Sequence, residues 1–282
     1  VKALVTGSAG FIGGHVAAAL EQASWSVTGA DIETGTDVRR LPVASYDLVV
    51  HCAAVVGGRR VVELAPLEHA ANLAIDASLF EWAAVSQPGR VVYFSSSCAY
   101  PAKLSSTPGR LQEAEIDPYS PRWPDELYGW TKLTGELVAG VAADAGIPVS
   151  IVRPFSVYGP GMKDGFAITS FTDQIRRRAD PVEIWGPGTQ VRDFIHVRDV
   201  ARAVLAMAEQ GIDGPVNLGT GRGTSLVNLV HMMGDAAGYG PAVCTQKGMP
   251  AGLPCLVADP SLLRSFCAPA VKLEDYFAEV LA

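Results

Sequence analysis

The chain is poor in the features that mark several functional classes. It has 5 cysteines, Cys52, Cys98, Cys244, Cys255 and Cys267, and no two of them form a C-x-x-C pair. An odd and scattered set indicates neither a disulfide framework nor a zinc site. Basic residues are in deficit, with 22 Lys and Arg against 29 Asp and Glu for a formal charge of −7. A binder of the phosphate backbone needs the opposite balance, so nucleic acid is not an expected partner. Charged residues make up only 18% against 49% hydrophobic, a balance that excludes disorder, coiled coil and collagen-like repeats. Long apolar runs are missing as well. Stretches such as Val16 to Leu20 or Asp47 to Val56 fall short of the roughly 18 residues a spanning helix requires, and no membrane partner is expected. The opening residues do not read as a secretory leader, and a reducing cytoplasm is the expected compartment.

What is present is a globular chain of 282 residues, room for one large domain or one domain with an appended lobe. Short apolar runs alternate with segments of helical spacing. KALVT (Lys2 to Thr6), SVTGAD (Ser26 to Asp31), YDLVVHCAA (Tyr46 to Ala54), RVVYFSS (Arg90 to Ser96) and IPVSIVRP (ending at Pro154) read as strands, with helices over Phe11 to Leu20 and about Asp125 to Ala145. Strands separated by helices predict an α/β fold with a Rossmann-type doubly wound parallel sheet. That unit is expected over 1–155, taking in segments near 186–218. Segments 156–185 and 219–282 are expected to form a smaller C-terminal substrate-binding lobe. The stretch from Tyr239 to Pro260, rich in Pro and Gly, reads as irregular, and Leu273 to Leu281 as a closing helix.

Gly7-Ser-Ala-Gly10-Phe-Ile-Gly13 follows a predicted strand and opens a predicted helix. In that setting Gly7 permits the tight turn, Gly10 lets backbone N–H groups approach a pyrophosphate, and Gly13 lets helix and strand pack closely. Phe11 and Ile12 then begin the helix whose N-terminus faces the anion. Asp31 closes the second strand 24 residues beyond Gly7, where a carboxylate accepts hydrogen bonds from a ribose and repels a 2′-phosphate. NAD is therefore the expected cofactor, while Arg39 and Arg40 leave NADP open. Asp37 reads as a turn aspartate with a further possible role near the adenine.

Tyr128-Gly-Trp-Thr-Lys132 sets a phenol and an ammonium on one helix face. A nearby cation is the simplest means of making a phenol of pKa about 10 useful as a base. The serines of SSSCAYP (Ser95 to Pro101) leave the carboxyl end of a predicted strand, where parallel sheets gather ligands.

Glycine loop, strand-end serines and Tyr-x-x-x-Lys, in this order, resemble the extended short-chain dehydrogenase/reductase family, and its NAD-dependent epimerase/dehydratase branch most of all. The likeness continues through HCAA (His51 to Ala54), RPFSVYGPG from Arg153, VRDFIHVRDVA (Val191 to Ala201) and VNLGTG (Val216 to Gly221). The resemblance implies an enzyme with Tyr128 as base, Lys132 orienting a ribose and lowering the tyrosine pKa, and Ser96 completing the triad, with Ser97 its nearest rival. It further implies cofactor contacts from Asp37, Val38, Ala53 and Ala54, a nucleotide-sugar substrate touched by Ser97, Cys98, Ser156 and Arg192, and a homodimer. Epimerisation through transient oxidation of a ring hydroxyl is the expected activity. A dehydrogenase, reductase or dehydratase of the same family is the alternative, and a non-catalytic dinucleotide-binding protein a more distant one.

Several positions depart from the pattern. Ser97 and Cys98 stand where dehydratases of the branch carry an Asp-Glu pair, Ser156 where Asn is frequent, and Met249 where many members place an Arg on the diphosphate. In relatives reading S-S-C-x-Y-P the cysteine exchanges protons beside a transient ketone, and a partner acid lies downstream of Y-G-P. Here Phe166 aligns with that partner, with Lys163 and Asp164 nearby, and Cys98 reads either as that catalyst or as a small inert thiol. No metal is expected, since His69 and His231 lack ligands at suitable spacing. Arg176 to Arg178 read as a solvated face, His196 as a packing residue, and Trp82, Trp123, Trp130 and Trp185 as core or lobe packing.

Overall fold

The structure is a computed structural model that describes residues 1–282 apart from Thr107, Pro108, Pro118, Ser120 and Ala282. The first half alternates strand and helix: β1 (Lys2–Thr6), α1 (Phe11–Gln22), β2 (Ser26–Ala30), β3 (Leu48–His51), α2 (Arg59–Leu64), α3 (Ala71–Ser86), β4 (Val91–Phe94), α4 (Glu126–Asp144) and β5 (Val149–Pro154). The remainder holds β6 (Ser156–Tyr158), α5 (Ala167–Arg176), β7 (Val182–Trp185), β8 (Val191–His196), α6 (Val197–Gln210) and β9 (Val216–Leu218). It closes with β10 (Gly223–Ser225), α7 (Leu226–Ala236), β11 (Val243–Gln246), β12 (Cys255–Leu256), α8 (Ser261–Phe266) and α9 (Leu273–Leu281).

The central sheet runs β2-β1-β3-β4-β5-β9 with every pairing parallel. Strands β3 (LVVH) and β4 (VVYF) are buried along their whole length, as a parallel sheet covered on both faces requires. One face, carrying Ala3, Val5, Val50 and Val92, packs against Val16 and Leu20 of α1 and Val200, Val204 and Met207 of α6. The other, carrying Leu4, Val49, Val91 and Tyr93, packs against Leu79 and Ala83 of α3 and Ala139 and Ala142 of α4. Chain order reverses between β1 and β3, so a crevice opens at their carboxyl ends, the usual ligand position in open α/β sheets.

A separate apolar cluster joins Phe171 and Ile175 of α5, Val182 and Ile184 of β7, Leu229 and Met233 of α7, and Phe277 of α9. Against the sequence expectation, the 239–260 stretch contains two strands. β11 pairs in parallel with β7, Val243 opposite Val182, and β12 pairs in parallel with β8, Cys255 opposite Val191. Neither strand shows an apolar alternation of its own, because the partner lies some sixty positions away in sequence and supplies the order. Trp123 is a second correction. Expected in packing, it is 78% exposed and meets Trp130 edge-on at 5.4 Å, because it sits in the irregular loop ahead of α4. Trp82 is buried, its Nε1–H donating to the Pro42 carbonyl at 2.8 Å. Arg176 to Arg178 and His231 are exposed.

Candidate active site at the carboxyl edge of the sheet

The glycine turn is built by close approach. Gly7 has φ +69°, and a Cβ there would stand 2.7 Å from the Ala53 nitrogen and 2.8 Å from the Cys52 carbonyl carbon. A Cβ at Gly13 would fall on the Gly7 carbonyl oxygen. Gly10 caps α1 and donates to the Gly7 carbonyl at 3.0 Å, which leaves the N–H groups of Phe11, Ile12 and Gly13 without intrahelical acceptors. Ala53 and Ala54 follow β3 directly beside this turn, and the Ala53 N–H donates to Thr6 Oγ1 at 3.3 Å. Asp31 follows the last residue of β2. It accepts from the Ala9 N–H at 3.0 Å and the Glu33 N–H at 2.9 Å, two bonds on a carboxylate with capacity for about four. The turn, the helix N-terminus and the spare acceptor capacity fit an adenine dinucleotide.

Asp37 and Val38 lie in the segment between β2 and β3. Asp37 accepts from Arg39 Nη2 at 2.7 Å and Nε at 3.0 Å. The Arg39 side chain and backbone bonds, with Arg40 adding charge, bring the half-buried Asp37 carboxyl down to about 2. Arg39 is thus committed to Asp37, which weakens the case for a 2′-phosphate at this edge. Val38 is buried in the core beside Ala30 and Leu41.

α4 carries Tyr128 and Lys132 one turn apart and packs on the turn after β4, with the Asp125 N–H donating to the Cys98 carbonyl at 3.0 Å. A Cβ at Gly129 would strike that same carbonyl. Ser96 is the cap of this turn, its Oγ accepting from the Cys98 N–H at 3.1 Å. Burial pushes the Tyr128 phenol well above its ordinary value and Cys98 and Asp76 add to the rise, while the Ser96 hydroxyl opposes it. Lys132 is held against β4. Its Nζ donates to the Phe94 carbonyl at 2.9 Å and stands 5.2 Å over the Tyr93 ring. The His69 ring flanks Tyr128 at 4.9 Å between centroids.

Cys98 lies among charges. Burial and Asp125 raise its thiol to about 11, against Arg59, the Ser96 hydroxyl and Arg192. Arg192 is held at about 10 by burial and by Arg59, and its hydrogen-bond partner is the Val191 carbonyl at 2.8 Å. Ser97 is buried beside Cys98, and Ser156 begins β6 opposite Phe194 of β8.

Four features of this edge carry no motif of their own. Arg59 pairs with Asp125 at 2.6 Å. The buried Arg153–Glu136 pair ties β5 to α4 through bonds of 2.7 and 2.9 Å. The His51–Asp76–Tyr93 cluster lies behind Lys132. His69 is the last. His51 and Arg153 do fall inside the HCAA and RPFSVYGPG segments, but the remaining partners are single residues far apart in sequence. Among the described residues no His, Cys, Asp or Glu group has the arrangement of a metal site, and no helix is long and apolar enough to cross a membrane.

Known proteins match this architecture along nearly its whole length. A dTDP-4-dehydro-6-deoxy-D-allose reductase of Streptomyces bikiniensis is 30% identical, with 91% of this chain and 87% of that protein covered. A GDP-mannose 3,5-epimerase of Arabidopsis thaliana is 27% identical over 83% of this chain and 68% of its own length. The crystal structure of a UDP-glucuronic acid 4-epimerase from Bacillus cereus, in complex with UDP-glucuronic acid and NAD, superposes with a TM-score of 0.86 at 26% identity, covering 99% of this chain and 98% of that one. Residues 3–219 match the model of the NAD dependent epimerase/dehydratase family, and the chain belongs to that family.

Proposed function

We propose that the chain is an NAD-dependent nucleotide-sugar epimerase that works by transient oxidation of a ring hydroxyl. The observation that carries this reading is the docking of α4, which bears Tyr128 and Lys132, on the turn after β4 whose cap is Ser96, fixed by the Asp125 N–H donating to the Cys98 carbonyl at 3.0 Å. Tyr128 takes the proton of the ring hydroxyl and later gives it back, and Ser96 holds the oxygen between the two events. Lys132, one turn along α4, orients the ribose from its anchor on the Phe94 carbonyl and is the cation we assign to the phenolate. NAD, held by the glycine turn at Gly7 to Gly13 and by Asp31, would supply the hydride acceptor and donor. Arg192, with no ion-pair partner among the described residues, is the group we assign to the substrate diphosphate, with Ser97, Cys98 and Ser156 along the sugar.

A Cys98 thiol raised to about 11 stays protonated at neutral pH, which favours hydride return over proton abstraction beside a ketone. Ser97 and Cys98 provide no carboxylate pair for water elimination. We assign the substrate lobe to 156–185 and 219–282 and the active form to a cytoplasmic homodimer. Free thiols at all five cysteines and exposed Leu73 and Val141 on α3 and α4 support the compartment and the dimer respectively.

A reductase that releases its product and exchanges cofactor is the second reading, favoured by the Streptomyces relative. Incubation with a panel of UDP-, GDP- and dTDP-sugars, followed by product NMR and absorbance at the NADH band, separates the two. Epimerisation gives an isomer without net NADH change, reduction consumes NADH in proportion to product, and no conversion across the panel refutes both.

A further inference from the structure

A buried polar network lies behind the Tyr–Lys pair, and its hydrogen bonds run in one direction. The Ala53 N–H, beside the glycine turn, donates to Thr6 Oγ1, which lies 2.7 Å from His51 Nδ1. His51 Nε2 lies 3.1 Å from Asp76 Oδ1, and the Tyr93 hydroxyl donates to Asp76 Oδ2 at 2.6 Å. An ionised carboxylate only accepts. His51 Nε2 therefore carries the hydrogen, Nδ1 is the acceptor for the Thr6 hydroxyl, and every donor in the chain points toward Asp76.

Asp76 is 2% exposed and His51 1%, and a charge so deeply buried needs an opposite charge close by. Burial lowers the imidazole and outweighs Asp76, so His51 stays neutral and does not supply that charge. Lys132 does. Its ammonium sits over the ring of the same Tyr93 whose hydroxyl holds Asp76. Gly135, the next residue on that face of α4, lacks the Cβ that would strike the Tyr93 hydroxyl and stand 2.7 Å from Asp76 Oδ2.

We propose that Asp76 is a positioning residue for the reaction: its carboxylate, fixed by His51 and Tyr93, is the counter-charge that draws the Lys132 ammonium toward β4 and holds it over the Tyr93 ring. The inference rests on the role given to Tyr128 under the proposed function. The groups acting on Asp76 are Lys132 from α4, His51 from β3 and Tyr93 from β4, and Glu136 bears on Tyr93. Those around Tyr128 are Ser96, Cys98, His69 and Asp76 itself. Despite its burial Asp76 is held below the ordinary carboxyl range, by Lys132 first and then by the His51 and Tyr93 bonds. A phenolate formed at Tyr128 adds a second negative charge near Asp76, so removing the first makes the proton easier to lose.

The test uses Asp76→Asn, which keeps the shape and removes the charge, and Tyr93→Phe, which keeps the charge and removes a donor. The rising limb of kcat/KM moves to lower pH by about one unit in Asp76→Asn, an approximately tenfold gain on the acid side of the limb, and stays in place in Tyr93→Phe. The Lys132 side-chain resonances, shielded by the Tyr93 ring in the unmutated cofactor-free chain and assigned with Lys132→Met, move downfield in Asp76→Asn as the ammonium leaves the ring. In the unmutated chain, ¹⁵N NMR finds His51 as the neutral Nε2–H tautomer from mildly acidic to mildly alkaline pH. An unmoved limb and resonance in Asp76→Asn, an equal displacement in Tyr93→Phe, or a charged or Nδ1–H His51 overturns the proposal. Absence of turnover with every nucleotide sugar would defeat the proposed function alone, since the two NMR readouts still decide the part played by Asp76.

Discussion

Replacing Glu136 by Gln tests how the catalytic helix is held. Glu136 sits one turn beyond Lys132, and the side chains of Glu136 and Arg153 are 1% and 2% exposed. The carboxylate accepts Arg153 Nη2 at 2.7 Å, Nε at 2.9 Å and the Ser95 hydroxyl at 2.5 Å. Arg153 Nη1 also donates to the Glu113 carbonyl at 2.7 Å. Helix α4, the turn after β4 and strand β5 are thus joined at one carboxylate. In Glu136→Gln an amide N–H₂ replaces an acceptor and faces a guanidinium that remains buried and charged. Removing one partner of a buried pair costs about 3–5 kcal/mol, a large share of the roughly 5–15 kcal/mol that holds a protein folded. At about 2–4 °C per kcal/mol for a chain near this size, the melting temperature falls by roughly 6–20 °C. Thermal melts by circular dichroism, with urea midpoints at unchanged slope, measure it. Replacing both partners by Met removes both charges and recovers part of the loss, the remainder reflecting the stranded Ser95 hydroxyl and Glu113 carbonyl. A loss below about 1 kcal/mol in Glu136→Gln would refute the reasoning.

Tyr128→Phe and Lys132→Met abolish turnover while the fold and much of the cofactor affinity persist, and the proton-transfer share alone is about 10²–10⁴-fold; purified Tyr128→Phe with near-normal turnover would contradict this. NAD binds in preference to NADP, and Asp31→Ala narrows the gap by removing repulsion of a 2′-phosphate, as isothermal titration with both dinucleotides would read. For Cys98, burial and Asp125 push the thiol up to about 11 from its ordinary 9.0, so alkylation of the native chain rises only in strongly alkaline solution, whereas the unfolded chain reacts about two pH units earlier. Peptide mapping after iodoacetamide checks it, and modification of native Cys98 at neutral pH as fast as the exposed Cys244 would be the contrary result. Turnover in heavy water leaves ring carbons free of deuterium and Cys98→Ala stays substantially active, whereas deuterium beside the oxidised position, lost with Cys98→Ala, would make Cys98 an acid/base catalyst.

The sequence by itself determined the elements whose information is local. Continuous apolar runs such as LVVH and VVYF gave buried parallel strands, because a strand covered on both faces has no polar side to show. Gly7, Gly10 and Gly13 announced a turn that side chains cannot occupy, and Tyr128 and Lys132 shared a face because a helix repeats every 3.6 residues. The tertiary structure alone decided what depends on meetings between distant segments. It turned Lys132 toward the Phe94 carbonyl, committed Arg39 to Asp37, and gave β11 and β12 their partners in β7 and β8. It also assembled His51, Asp76 and Tyr93 from three elements behind the active site. No periodicity announces such a cluster, since each member is one polar residue in an apolar context. Burial and the partner brought to it across the fold set its charge and its hydrogen-bond direction.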